Sequence, residues 1–177
     1  MGDFHARSGR AAFNGVSGSR EFQQDYSYLI DNWNNPTADR PAMPLVLNLP
    51  VGLKGVAEMV VGEQHTAPRI GSGRIRVLAT PVMIQLIESA ALAAVEQSLP
   101  EEHQSLGTHL DITHVAATPV GMRVRATAEV IRVEGRTIYL RVTAEDEQEL
   151  IGEGTHERVV VNLERFDKRV QGKARAP

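Results

Sequence analysis

Cysteine is absent from the 177 residues of the chain, which excludes disulfides, zinc–thiolate sites and thiol nucleophiles. Any nucleophile is therefore oxygen or nitrogen, and the absence suits a reducing cytoplasm. Positive charge is also scarce: 19 Lys and Arg against 22 Asp and Glu leave a formal net charge of -3, with no basic surplus to displace counterions from a phosphate backbone. Nucleic acid is not an expected partner. No apolar run approaches the roughly 20 residues that a spanning helix needs, and "MGDFHARSGRAAFNGVSGSR" lacks the apolar centre of a secretory signal. The expectation is a cytoplasmic protein without a membrane partner. The histidines at 5, 65, 103, 109, 114 and 156 never fall into a zincin spacing, so neither a metal nor another cofactor is expected. "GSG" at 71–73 and "GEG" at 152–154 complete no dinucleotide fingerprint.

What is present suits one domain. The first 45 residues are rich in Gly, Ser, Asn and Asp, and Phe22, Tyr26, Tyr28 and Trp33 follow no sustained period, so 1–45 is expected to be a loosely docked extension. Met43 offers a second translation start. From residue 55 the pattern sharpens. "GVAEMVVGEQHT" reads as a strand, and "APRIGSGRIRV" as a Gly-rich loop too irregular for either element. "TPVMIQLIESAALAAVEQSLP" is the one clear helix: Thr80 suits an N-cap, Pro81 the first helical position, and Pro100 follows the end. Its apolar residues lie on nearly all sides, as in a buried helix.

After the helix the period changes to two. "THLDITHVAAT", "MRVRATAEVIRV", "RTIYLRVTAED" and "LIGEGTHERVVVNLERF" alternate, with "EGR" and "EDEQEL" as hairpin connections. One strand, one buried helix and a four-strand antiparallel meander predict an α+β plan, the hotdog fold, over residues 46–166. A basic polar tail, 167–177, follows. A single sheet wrapped round one helix leaves an edge and a face to cover, so a dimer at least is expected.

Within that plan a few residues are candidates for chemistry. Thr80 is accounted for by capping alone, although a helix start also offers unpaired N–H groups, here from Val82 and Met83, to polarise a carbonyl oxygen. Glu88 has Ile84, Gln85, Ala91 and Leu92 as helical neighbours. Pattern leaves it open between a general base or nucleophile on a rigid helix and a Glu on the helix's least buried edge. By alternation His114 shares the apolar face of its strand with Leu110, Ile112 and Ala116, whereas His109 goes with Asp111, Thr113 and Val115. A core-facing histidine can be structural or catalytic, and alternation does not choose. Arg158 alternates with His156 and Val160 and reads by itself as a surface strand residue.

Taken together, "VLATPVMIQLIE", "SLGTHLDITHVAATPVG", "AEVIRVEGR" and "IGEGTHERVVVNLERF" resemble, in order and spacing, the fluoroacetyl-CoA thioesterase-like family of hotdog proteins. The resemblance covers residues 55 to 168. It implies a cofactor-independent acyl-CoA thioesterase with Thr80, Glu88 and His114 as the catalytic set. It also implies that Gly107 approaches the thioester, that Arg158 belongs to the pocket, and that His109 has no catalytic role. Thr80 and Glu88 are eight helical residues, about 12 Å, apart, so a site that uses both is expected at the interface of a homodimer. In the family's namesake an aromatic gate before the helix selects the fluorinated substrate; here the stretch is "RIGSGRIRVLAT", with Arg74 and Arg76 and no Phe. A different small or medium acyl-CoA is expected. The rival readings are a hydratase or dehydratase on acyl thioesters and a non-catalytic acyl-CoA-binding module.

Overall fold

The structure, a computed structural model, describes residues 45–174. The expected extension therefore lies, but for its last residue, outside the described residues.

Strand β1 (Lys54–Val60) is followed by a single 3-10 turn (Glu63–His65), a one-turn helix α1 (Ala67–Ile70) and a loop that leads into helix α2 (Thr80–Val95). A second 3-10 turn (Glu96–Ser98) precedes β2 (His103–His114), β3 (Arg123–Glu134), β4 (Thr137–Asp146), β5 (Leu150–Asn162) and helix α3 (Leu163–Ala174). The five strands form one antiparallel sheet in the order β1-β3-β4-β5-β2. The α+β hotdog plan expected from the order of elements is the one formed.

Three details depart from the expected outline. The four later strands are not a plain meander: β3, β4 and β5 follow one another, but β2 pairs with β5 at the far edge. The near side of β3 is already occupied by β1, so β5 offers the remaining ladder. The stretch from Ala67 is not all loop, because Pro68 suits the start of α1 and Gly71, at φ 82°, closes it in the left-handed conformation that glycine adopts without a Cβ penalty. Finally, the basic C-terminal stretch is helical, and no residue of α3 is buried.

The turns follow their sequences. Gly135, at φ 57°, serves the short β3–β4 connection. Between β4 and β5 the Asp146 carboxylate accepts the Gln148 and Glu149 amides at 2.9 and 3.0 Å.

Helix α2 lies in the concave face of the sheet. Val82, Met83, Leu86, Ile87, Ala90, Ala91, Ala94 and Val95 are buried against Val124, Ala126 and Val130 of β3, Leu140 and Val142 of β4, and Ile151 and Val160 of β5. Each large apolar side chain so buried contributes about 1.5–3 kcal/mol. Small residues allow the close approach: a Cβ on Gly55 of β1 would lie 2.2 Å from both the Ala90 carbonyl oxygen and the Ala94 nitrogen. The helix is not covered on all sides, however. Gln85, Ser89, Leu92 and Ala93 form an exposed stripe at helical spacing. No helix among the described residues is long and apolar enough to cross a membrane.

Candidate active site

Two groups of polar side chains gather where α2 meets the β2 edge of the sheet. The first lies at the start of the helix. Ala79, not Thr80, is the N-cap, and no side chain caps the helix. The Val82 and Met83 amides both donate to the Ala79 carbonyl, at 3.0 and 3.1 Å, so they are not the free donors the sequence suggests. Released from capping, the Thr80 hydroxyl lies 2.8 Å from Nδ1 of His114, the last residue of β2. Nε2 of His114 is buried and has no hydrogen-bond partner among the described residues. Burial holds the His114 imidazole below the ordinary histidine value, although the nearby Ala116 backbone favours the charged form. A neutral ring beside a hydroxyl is the protonation state a proton acceptor needs.

The second group lies around Glu88, two turns further along α2. Its side chain is 41 % exposed in the single chain, so Glu88 belongs to the less covered flank of the helix. Its Oε1 is 3.8 Å from Nη1 of Arg158 and 3.9 Å from Nε2 of His156. A Cβ on Gly107 would come within 2.6 Å of the same oxygen, so glycine lets β2 pass directly beside the carboxylate. Arg158 is 4 % exposed and faces the core, not the surface. Its Nε donates to the Ser105 hydroxyl (2.8 Å) and its Nη2 to the Ser105 carbonyl (2.9 Å). Ser105 in turn donates its amide and its hydroxyl to the Glu96 carboxylate. Burial lowers Arg158 from its ordinary value, and Glu88 and Glu96 oppose that by favouring the cation.

A β-bulge is what brings both groups to the helix side of β2. The β2–β5 register shifts between Gly107 and His109. Before the shift Ser105 and Gly107 point inward with their odd numbers; after it Leu110, Ile112 and His114 do so with even ones. His109 is exposed, as alternation suggests, and its carbonyl accepts from Nδ1 of His156 at 2.9 Å.

One chain thus brings Thr80 to His114, and Glu88 to Gly107 and Arg158, but does not bring the two groups together. Along β2 the seven steps from Gly107 to His114 cover at most roughly 23 Å at about 3.3 Å each. His156, Ser105 and Glu96 were not singled out by sequence. For His156 the signal was the face it shares with Arg158 and Val160: a β-branched core residue further along the same face marks that face as interior.

Comparison with known proteins shows the family of the chain. A family model described as "Fluoroacetyl-CoA-specific thioesterase" matches residues 61–164. A fluoroacetyl-CoA thioesterase from Streptantibioticus cattleyicolor is 46 % identical over 100 residues, which are 56 % of this chain and 72 % of that protein. A solved structure of the fluoroacetyl-CoA thioesterase FlK superposes with a TM-score of 0.68 at 37 % identity, over 73 % of this chain and 99 % of that one. A thioesterase-superfamily member from Thermus thermophilus does so at 0.65 and 29 %, over 75 % of this chain and 100 % of its own.

Proposed function

Since the chain belongs to the fluoroacetyl-CoA-specific thioesterase family and is a thioester hydrolase, we propose that it cleaves an acyl-CoA to the free acid and coenzyme A at a site that two copies of the chain build together. The observation that carries this reading is the division of the polar side chains into Thr80–His114 and Glu88–Gly107–Arg158, each group lacking what the other has.

Among the described residues β2 is an edge strand, and that supports a shared site. Antiparallel pairing of two β2 edges about a two-fold axis near Leu110 and Asp111 sets Gly107 of one copy opposite the partner's His114. The same contact extends the sheet to a second copy. It also lies beside Leu92 of the exposed helix stripe and Leu110, which are 39 % and 37 % exposed in the single chain.

In such a site Glu88 supplies the attack, as the nucleophile or as the base for a water, with the buried Arg158 cation keeping negative charge at that position favourable. The water supplies the remaining atoms: it either adds directly to the thioester carbonyl or hydrolyses the acyl–Glu88 anhydride left when Glu88 itself attacks, and His114 carries the proton that this water gives up to the thiolate released as the carbon–sulfur bond breaks. The Thr80 hydroxyl orients the imidazole and reaches the carbonyl end of the substrate. Gly107 leaves the carboxylate open to the thioester.

The loop before α2 supports an acyl group other than fluoroacetyl. Residues 71–76 are exposed and include no aromatic side chain, and Arg76 is paired with Glu63. Arg74 remains to meet an anion, either a CoA phosphate or a carboxylated acyl chain. A free-thiol assay over acetyl-, fluoroacetyl-, hexanoyl-, malonyl- and crotonyl-CoA tests the reading. Thiol release from at least one ester other than fluoroacetyl-CoA is expected. Binding with no release from any of them would leave a non-catalytic module, and loss of enoyl-CoA absorbance without free thiol would leave a hydratase.

A further inference from the structure

Among the described residues, the mechanism above leaves one fully buried titratable group unused. His156 is 0 % exposed, lies in the middle of β5 and touches neither Thr80 nor His114 among its hydrogen-bond partners. Its hydrogen bonds determine its chemical form. Nδ1 is 2.9 Å from the His109 carbonyl oxygen, which can only accept, so Nδ1 carries the proton. Nε2 is 3.1 Å from Nη1 of Arg158, which can only donate, so Nε2 carries the lone pair. A neutral ring with its proton on Nδ1 satisfies both contacts. The other neutral form fails both, and the imidazolium places two donors face to face at Nε2.

The same ring completes the orientation of Arg158. Ser105 holds Nε and Nη2 at one side of the guanidinium, and His156 holds Nη1 at the other. With the plane set in this way, Nη1 is the nitrogen that faces Oε1 of Glu88. The Glu96 carboxylate behind Ser105 balances the cation from the opposite end, so Arg158 is not drawn out of position by Glu88 alone. Gly107 allows the whole stack to close: a Cβ there would meet Glu88 Oε1 at 2.6 Å and His156 Cε1 at 3.0 Å.

We propose that His156 is a positioning residue for the hydrolytic reaction: as the neutral ring protonated on Nδ1, it aims the buried Arg158 guanidinium at Glu88 and so places the attacking carboxylate. The kinetic half of this inference rests on the role given to Glu88 above; the half that concerns the ring's protonation does not.

Two measurements test it. The ¹⁵N spectrum of the histidine rings in the full chain at neutral pH reads the form of His156 directly and needs no substrate. A protonated Nδ1 with a bare Nε2 is expected; a proton on Nε2, in either the other neutral form or the imidazolium, overturns the proposal. Kinetics then separate positioning from folding. His156→Leu removes the acceptor for Nη1 and is expected to lower kcat by about tenfold or more at a KM within about twofold, as loss of a hydrogen bond to a charged group implies. His156→Gln restores an acceptor near Nε2 and is expected to recover most of that loss. If the leucine variant does not fold, Ser105→Ala, which removes the acceptor for Nε and leaves only the backbone carbonyl at Nη2, is expected to lower kcat in the same direction. An unchanged kcat in a folded His156→Leu or Ser105→Ala chain, or glutamine no better than leucine, overturns the proposal. A parent protein that releases no thiol from any ester refutes the hydrolytic reading and with it the kinetic half, while the ring spectrum still decides the protonation state.

Discussion

Gly107 and His114 occupy the same inner face of β2 although an odd and an even position cannot share a face in a regular strand. The register shift between Gly107 and His109 resolves this by inserting one residue, and with it the strand presents Gly107 to Glu88 and His114 to Thr80. The geometry of the candidate site depends on that irregularity, since without it one of the two groups would face away from the helix.

The roles assigned to His109 and His114 diverge, and so do the effects of removing them. Glu88→Gln and His114→Ala are each expected to lower kcat by about 10²–10⁴-fold with far-ultraviolet circular dichroism unchanged. His109→Ala is expected to stay within about threefold of the parent, because the contact that His109 makes to His156 is through its carbonyl, which alanine retains. Comparable losses for both histidines would refute the face assignment.

If each site draws Thr80 and His114 from one copy and Glu88 from the other, defects in different groups complement. Thr80→Ala and Glu88→Gln chains should each be nearly inactive alone. Mixed, unfolded and refolded together at equal concentration, they should recover about a quarter of parental activity, since half of the dimers are hybrids with one intact site of two. Light scattering should report a dimer. No recovery from a mixture shown to contain hybrids, or an active monomer, would sink the shared site.

Two glycines separate folding from function. A Cβ at Gly55 would meet backbone atoms of α2 at 2.2 Å, and backbone cannot step aside. Gly55→Ala is therefore expected to cost about 1–3 kcal/mol or more in urea unfolding. At Gly107 the nearest atom is the end of the Glu88 side chain, which can swing away. Gly107→Ala should keep most of its stability and lose about tenfold or more in kcat, through displacement of the carboxylate. The reverse ranking, with Gly107→Ala the less stable and the more active, would contradict both placements.

Acid should weaken the fold through its buried histidines. His114 is lowered by burial, and His156 by burial and by Arg158 against the His109 carbonyl. A group whose folded value lies below its unfolded value stabilises the neutral side, so this contribution is complete above the ordinary value of 6.5 and is lost as pH falls through the folded values. Urea midpoints between pH 8 and pH 5 are expected to be level at first and then to decline, with a shallower decline for His156→Gln. Asp146 does not interfere: there burial is outweighed by the Gln148 and Glu149 amides and the Thr118 hydroxyl, which keep its carboxyl below 3.8. A midpoint that rises on acidification would overturn this account.

Much of the outline was legible in the order of residues. Period 3.6 with Pro81 near the start marked α2, period two marked the later strands, and Gly135 and Asp146 marked their turns, because local backbone preference and alternation need only neighbouring residues. Capping was misjudged for a tertiary reason. Thr80 looks like an N-cap from its neighbours alone, yet a histidine 34 positions away takes its hydroxyl, and the Ala79 carbonyl takes the amides. Arg158 looked like a surface residue because burial of a charge is intelligible only once Ser105, Glu96 and His156 surround it.

By itself, then, the sequence determined which chemistry was open to this protein: no thiol, no basic surplus, a hotdog order of elements, and a threonine, a glutamate and a histidine at family spacing. The tertiary structure decided which of these side chains meet. Side-chain contacts depend on strand pairing, on a bulge that changes the inward face, and on a buried arginine aligned from three directions. None of these is set by neighbours in the chain; each follows from packing distant segments together, where a buried polar atom must find its partner.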